Sequence, residues 1–172
     1  MRLITNGKYQ LGGEREETIG LPVFPQNLPT SIEVEGYTLL RRTDFHVSLV
    51  AIGKIIKKHG ITDPEFLQNV IADFLEFIKD NEIALLRYRN EFKFVAENER
   101  RSVVVMCDVS NLDRFFTRMN EKYHVNAEYP PTHVTLFTLQ PNSGIYLVDA
   151  RGIASLTKPI EISELNASVF AG

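Results

Sequence analysis

The sequence predicts an α+β fold, and three observations predict it. Two runs rich in β-branched and aromatic residues, 44–52 and 132–139, contain near-identical tetrapeptides, His46-Val47-Ser48-Leu49 and His133-Val134-Thr135-Leu136, and both have the composition of strands. A polar turn at 97–100 joins two further strand-like runs, 85–96 and 102–109, as an antiparallel hairpin. Two other stretches place apolar residues three and four apart, the spacing of a half-buried helix. Strands and helices recur in the same order on both sides of the chain's centre, which is consistent with a duplicated lobe, although no sequence repeat extends beyond the tetrapeptides.

Taken in order, residues 1–36 hold Gly12-Gly13, Gly20, Pro22, Pro25, Pro29 and Gly36 and no sustained period. An irregular arm is expected there, packed on a domain of residues 37–172, with at most a short strand near 8–11; Tyr9 and Phe24 are expected to pack on that domain. Residues 37–42 read as a strand leading into the first histidine strand. A helix is expected to begin at Asp63-Pro64-Glu65, with Asp63 as N-cap and Pro64 at the first helical position, and to bury Phe66, Leu67, Val70, Ile71, Phe74, Leu75 and Ile78. After the hairpin, Ser110 with Asp113 three residues on is expected to cap a second helix reaching about residue 123, with Leu112, Phe115, Phe116 and Met119 as its stripe. Pro130-Pro131 leads into the second histidine strand. Beyond the turn Gln140-Pro141-Asn142-Ser143-Gly144, residues 145–148 and 159–162 are expected as edge strands, and 166–172 as a frayed tail.

The tetrapeptides carry the functional signal. The chain has 4 histidines, and two of them open the same pattern of imidazole, apolar, hydroxyl, apolar. At average composition a given histidine is followed this way about once in a thousand times. Side chains alternate along a strand, so His46 and Ser48 share one face and Val47 and Leu49 the other, as do His133 and Thr135 against Val134 and Leu136. Each strand thus offers an imidazole and a hydroxyl side by side, anchored by an apolar face. Of the remaining histidines, His59 is expected exposed in a turn and His124 at the C-terminal end of the second helix; neither has a hydroxyl at the same offset.

Two imidazoles and two hydroxyls suit acid and base chemistry on a phosphodiester. Opening a cyclic phosphodiester requires one group to take a proton from water and another to give one to the departing ribose oxygen. An unperturbed pKa of about 6.5 lets imidazole do either near neutral pH. Ser48 and Thr135 can donate hydrogen bonds to phosphoryl oxygens, where charge accumulates in the transition state. This scheme requires no metal and no cofactor.

Paired H-x-[S/T]-h motifs on strands, here HVSL at 46–49 and HVTL at 133–136, half a chain apart, resemble the 2H phosphoesterase superfamily, which includes 2′,3′-cyclic phosphodiesterases also called RNA 2′-5′ ligases. The resemblance implies a two-lobed duplicated α+β fold, with antiparallel sheets facing across a central cleft and helices on the outside. It implies hydrolysis of 2′,3′-cyclic phosphates of RNA ends or nucleotides, with His46 and His133 as acid and base and Ser48 and Thr135 holding the phosphate. An RNA 3′-end or 2′-5′ phosphodiesterase of the same superfamily is the alternative, as is a nucleotide-binding module without turnover. The first motif has Ser48 where many members have Thr. The second runs on as Phe137-Thr138-Leu139-Gln140, without the Arg that some bacterial members carry there.

Arg41, Arg42, Arg87 and Tyr129 are the candidates for contacting the rest of a substrate. A metal hydrolase with histidine ligands ranks last, because the sequence has no HxxxH or HD cluster. A net charge of −3 and a pI near 5.8 argue against a protein that coats nucleic acid, so a nucleotide or an RNA end is the expected partner, with no extended nucleic-acid footprint. With 44% hydrophobic and 24% charged residues, the chain has the composition of one globular domain, expected as a monomer. No apolar stretch approaches a membrane span; the opening residues lack a signal-peptide core, and a cytoplasmic location is expected. The single cysteine, Cys107, lies in an apolar strand pattern and is expected to be a buried structural thiol.

Overall fold

The computed structural model describes residues 1–171. It is a mixed α/β fold built on one antiparallel sheet. The elements are β1 (Arg2–Ile4), β2 (Tyr9–Gly12), β3 (Thr18–Val23), β4 (Ser31–Val34), β5 (Tyr37–Arg41), β6 (Phe45–Ala51), α1 (Ile52–His59), α2 (Phe66–Phe77), β7 (Leu85–Glu97), β8 (Arg100–Val109), α3 (Leu112–Tyr123), β9 (His133–Thr138), α4 (Ala150–Leu156), β10 (Thr157–Ile160) and α5 (Ala167–Phe170). The strand order is β1-β2-β3-β6-β9-β8-β7-β10, with β4 and β5 attached through β5 to β9.

Alternation sorts the two faces of this sheet. Val47 and Leu49 of β6, Val134 and Leu136 of β9, and Val103 and Val105 of β8 are fully buried on one face, against Phe66 and Phe74 of α2 and Phe115 and Phe116 of α3. The opposite face carries a smaller cluster: Val95, Val104 and Met106, covered by Ile145 and Leu147 and flanked by Ile153 and Leu156 of α4. His46, Ser48, His133 and Thr135 have the parity of this second face.

The joint in the middle of the sheet is narrow. Strands β6 and β9 share a single pair, Val47↔Val134, whereas β9 pairs with β8 over five positions from Met106↔His133 to Ser102↔Thr138. The far end of β9 is taken up by β5, through Leu40↔Thr138 and Arg41↔Phe137.

Several expectations are corrected. Residues 1–36 are not irregular: they hold four strands, and β3 lies directly beside β6. Tyr9 anchors them. Its hydroxyl donates to the Ile83 carbonyl at 2.9 Å and accepts from the Ile83 N–H at 3.2 Å, and its ring packs edge-on against Phe74. Pro22 is tolerated in β3 because the pairing with β2 stops at Gly20, leaving Pro22 with a strand on one side only. Phe24, expected to pack, is 78% exposed.

The first histidine strand runs straight into α1, so His59 is the last residue of a helix and half-buried, not exposed in a turn; Gly60 ends that helix in the left-handed region. Asp63 does not cap α2. Its side chain accepts from the Glu65 N–H in a turn before the helix, which starts at Phe66. Ser110 does not cap α3 either, since its hydroxyl bonds to the Ala84 N–H and the Glu82 carbonyl. Residues 145–148 form no ladder, and the tail is a short helix with Phe170 buried against Tyr88 and Phe92. Cys107 is buried, and burial pushes its thiol up to about 12. Among the described residues, no helix is long and apolar enough to cross a membrane.

Candidate active site

One cavity of about 380 Å³ gathers His46, Ser48, His133 and Thr135. Its floor is the sheet face opposite the main core. From the single pair Val47↔Val134, the antiparallel sense sets His46 across from Thr135 and Ser48 across from His133. The two imidazole–hydroxyl pairs therefore run in opposite senses along the two strands, with the imidazoles near enough for His133 to disfavour the charged form of His46. Neither hydroxyl has a hydrogen bond to the protein among the described residues, which leaves both donors for a ligand.

The N-terminal strands extend the floor. Gly20 pairs with Ser48 on one side and with Gln10 on the other, and Gln10 and Thr18 line the cavity as buried polar side chains. A side chain at position 20 would crowd Gln10, because a Cβ there would lie 3.1 Å from the Gln10 Cγ.

A strap closes the other side. Ile145 and Leu147 are buried in the small cluster, Asn142 accepts from the backbone N–H and hydroxyl of Thr43 at 3.2 Å each, and the Gly144 carbonyl accepts from Arg100. Gly144 passes so close to Arg42 that a Cβ would stand 3.0 Å from a guanidinium nitrogen.

Electrostatics distinguish the two imidazoles. Burial pushes both below their ordinary value. At His46 the positive charge of Arg42 adds to burial and the Asp44 carboxylate opposes it; its Nδ1 is buried with no hydrogen-bond partner. At His133, Nδ1 lies 2.7 Å from the Pro131 carbonyl. A carbonyl can only accept, so Nδ1 of His133 carries the proton and Nε2 keeps its lone pair.

Arg42 is the third charged feature. Its side chain is 11% exposed and meets a carboxylate, that of Asp44, only at 3.5 Å, with a further bond to the Asp44 carbonyl at 3.2 Å. A largely shielded cation so loosely neutralised favours an anion beside it.

The other sequence candidates lie elsewhere. Arg41 donates to the Leu28 carbonyl and Arg87 is paired with Asp108, as is Arg89. Tyr129 stacks edge-on against Phe116. None of these lines the cavity. Among the described residues no three His, Cys, Asp or Glu side chains are grouped as metal ligands would be.

Gln10, Thr18 and Gly20 are not among the sequence candidates. Their signal is the alternation of Ile19, Leu21 and Val23, interrupted by Gly20 and Pro22. Comparison with protein-family models, curated proteins and solved structures finds no match to this chain.

Proposed function

We propose that the chain is a metal-independent phosphodiesterase of the 2H type that hydrolyses 2′,3′-cyclic phosphates of RNA ends or nucleotides. One observation carries the reading: two imidazole–hydroxyl pairs, set crosswise on neighbouring antiparallel strands, open on one cavity beside a largely shielded arginine. The same reading takes the strands as two halves, β1-β2-β3-β6 and β9-β8-β7-β10, hinged at Val47 and Val134, and these are the two lobes facing across the cleft.

In this mechanism the cyclic phosphate lies between the histidines, with Ser48, Thr135 and Arg42 on its non-bridging oxygens. His133 is the base. Its Nε2 takes a proton from water as the water oxygen bonds to phosphorus, and the Pro131 carbonyl stabilises the imidazolium that results. His46 is the acid. Burial, reinforced by the charge of Arg42, disfavours its charged form before substrate binds; a bound phosphate offsets the Arg42 charge and raises the imidazole's affinity for a proton. As the bond from phosphorus to the ribose oxygen breaks, His46 protonates that oxygen, and solvent then returns both histidines to their starting states.

The test is turnover of a 2′,3′-cyclic mononucleotide, and of a short RNA ending in a cyclic phosphate, by wild type, His46→Ala and His133→Ala in EDTA. Hydrolysis by wild type alone supports the reading. Absence of hydrolysis by wild type, with nucleotide still bound, replaces it by a binding module.

A further inference from the structure

A second cavity, of about 410 Å³, begins where the first ends: Ser48, Leu147 and Val148 belong to the walls of both. Its character is different. Ile55, Pro130 and Val148 give it an apolar wall, backed by the buried Leu49 and Phe116, and Lys54, Lys57 and Lys58 of α1 stand at its rim. This is a local excess of positive charge on a chain whose net charge is −3.

The rim cations are weakly committed. Lys58 reaches Asp149 only at 3.5 Å. Lys54 lies over the Tyr146 ring, 4.9 Å from its centroid, with no carboxylate partner among the described residues, and Lys57 has none either. The wall also carries two carboxylates, Glu128 and Asp149, each accepting one backbone N–H, so three lysines against two carboxylates leave an excess of one positive charge there.

An apolar wall flanked by available ammonium groups suits a planar ring that carries a phosphate. Ser48 fixes the distance, since its hydroxyl serves the reacting phosphate in the first cavity and the second cavity opens at that same residue. We propose that the second cavity binds the nucleotide adjoining the one with the cyclic phosphate, with its base on the apolar wall and the connecting phosphate at Lys54 and Lys57. The substrate is then an RNA oligonucleotide in preference to a mononucleotide. This rests on the phosphodiesterase reading and names its substrate class.

Base stacking on such a surface is worth about 1–3 kcal/mol, roughly a 5- to 150-fold preference. Removing one ammonium group from a phosphate lowers the salt dependence of single-strand binding by about 0.7 in log–log slope.

The experiment measures kcat/KM for a 2′,3′-cyclic mononucleotide and for a dinucleotide ending in the same group, with wild type and with Lys54→Gln/Lys57→Glu. Both lysines are exposed, so the fold is not at risk. In parallel, binding of a dinucleotide ending in a 3′-phosphate is titrated against salt. The expected result is a wild-type preference of at least fivefold for the dinucleotide that collapses toward one in the variant, with a shallower salt slope. Equal turnover of the two substrates by wild type overturns the inference and leaves the phosphodiesterase reading standing, as does a preference that survives in the variant. If wild type hydrolyses neither, both fall.

Discussion

Thr135→Val removes one hydroxyl and keeps the shape of the side chain, so it isolates what that oxygen does. Thr135 is half-buried in β9, paired with Val104, and its hydroxyl has no hydrogen bond to the protein among the described residues. The fold therefore loses nothing it uses, and stability should stay within about 0.5 kcal/mol of wild type. Turnover should not. On the phosphodiesterase reading the hydroxyl donates to a phosphoryl oxygen as charge builds up, and removing one such donor costs about 10²–10³ in kcat, roughly 2.7–4 kcal/mol. Ser48→Ala should cost a similar factor. The double variant should lose less than the product of the two, because both donors serve one phosphoryl group. The assay is kcat on a 2′,3′-cyclic nucleotide in EDTA, followed across pH and alongside thermal unfolding. Both imidazoles remain, so the pH profile should keep its shape. A loss below tenfold at unchanged melting temperature would refute the assignment of Thr135 to the phosphate.

Wild-type kcat/KM should be bell-shaped in pH; His133→Ala should retain residual activity without the acidic limb and His46→Ala without the alkaline one, each losing about 10²–10⁴ in rate, and the opposite assignment of limbs would exchange the two roles. Because burial lowers both imidazoles in the folded state, the unfolded chain binds more protons below its pKa of about 6.5. Stability is then full above that value and falls as pH drops toward the folded values, by at most about 1.36 kcal/mol per pH unit for each histidine. Urea titrations at neutral and mildly acid pH should give a flatter dependence for His46→Gln/His133→Gln; equal slopes would sink the argument. Tyr9→Phe strips the Ile83 N–H and carbonyl of their buried partner and should cost about 1–3 kcal/mol, or roughly 2–12 °C in melting temperature. An unchanged melting temperature would mean that the first strands dock without this anchor.

The legible parts of the sequence are those in which one physical signal dominates. Val47, Leu49, Val134 and Leu136 alternate with polar side chains without interruption, which fixes both strands and the face of their histidines. Phe66, Val70, Phe74 and Phe77 of α2 are spaced for a single buried stripe. Where signals conflict, the sequence misleads. Ile52, Ile55 and Ile56 favour strand by type, and α1 follows β6 with no intervening turn, so the helix is masked by the strand before it. Gly20 and Pro22 hide the alternation of β3, although each has a positional reason: Gly20 gives Gln10 room, and Pro22 stands where the pairing with β2 has stopped. Asp63 and Ser110 have the chemistry of caps and use it on turns and a neighbouring loop. Arg42 is a candidate in the sequence but not distinguishable there from Arg41, because only the fold turns one guanidinium into the cavity and the other to the Leu28 carbonyl.

The narrow joint between β6 and β9 is what allows the site to exist. In a regular antiparallel ladder, side chains directly across from each other have Cβ atoms about 4.5–5.5 Å apart. Had the ladder continued past Val47↔Val134, His46 would pack against Thr135 and Ser48 against His133, and each imidazole would satisfy the opposing hydroxyl instead of facing the cavity. The strands pair once and then part: β5 takes the far end of β9 and β3 holds β6 along its other edge. The apolar side chains of the pair lock the backbones on the core face, while on the other face the four polar groups line one cavity. The N-terminal strands are therefore part of the site's construction, since β3 pairs with His46 through Pro22 and with Ser48 through Gly20 and holds β6 along the edge that β9 leaves free.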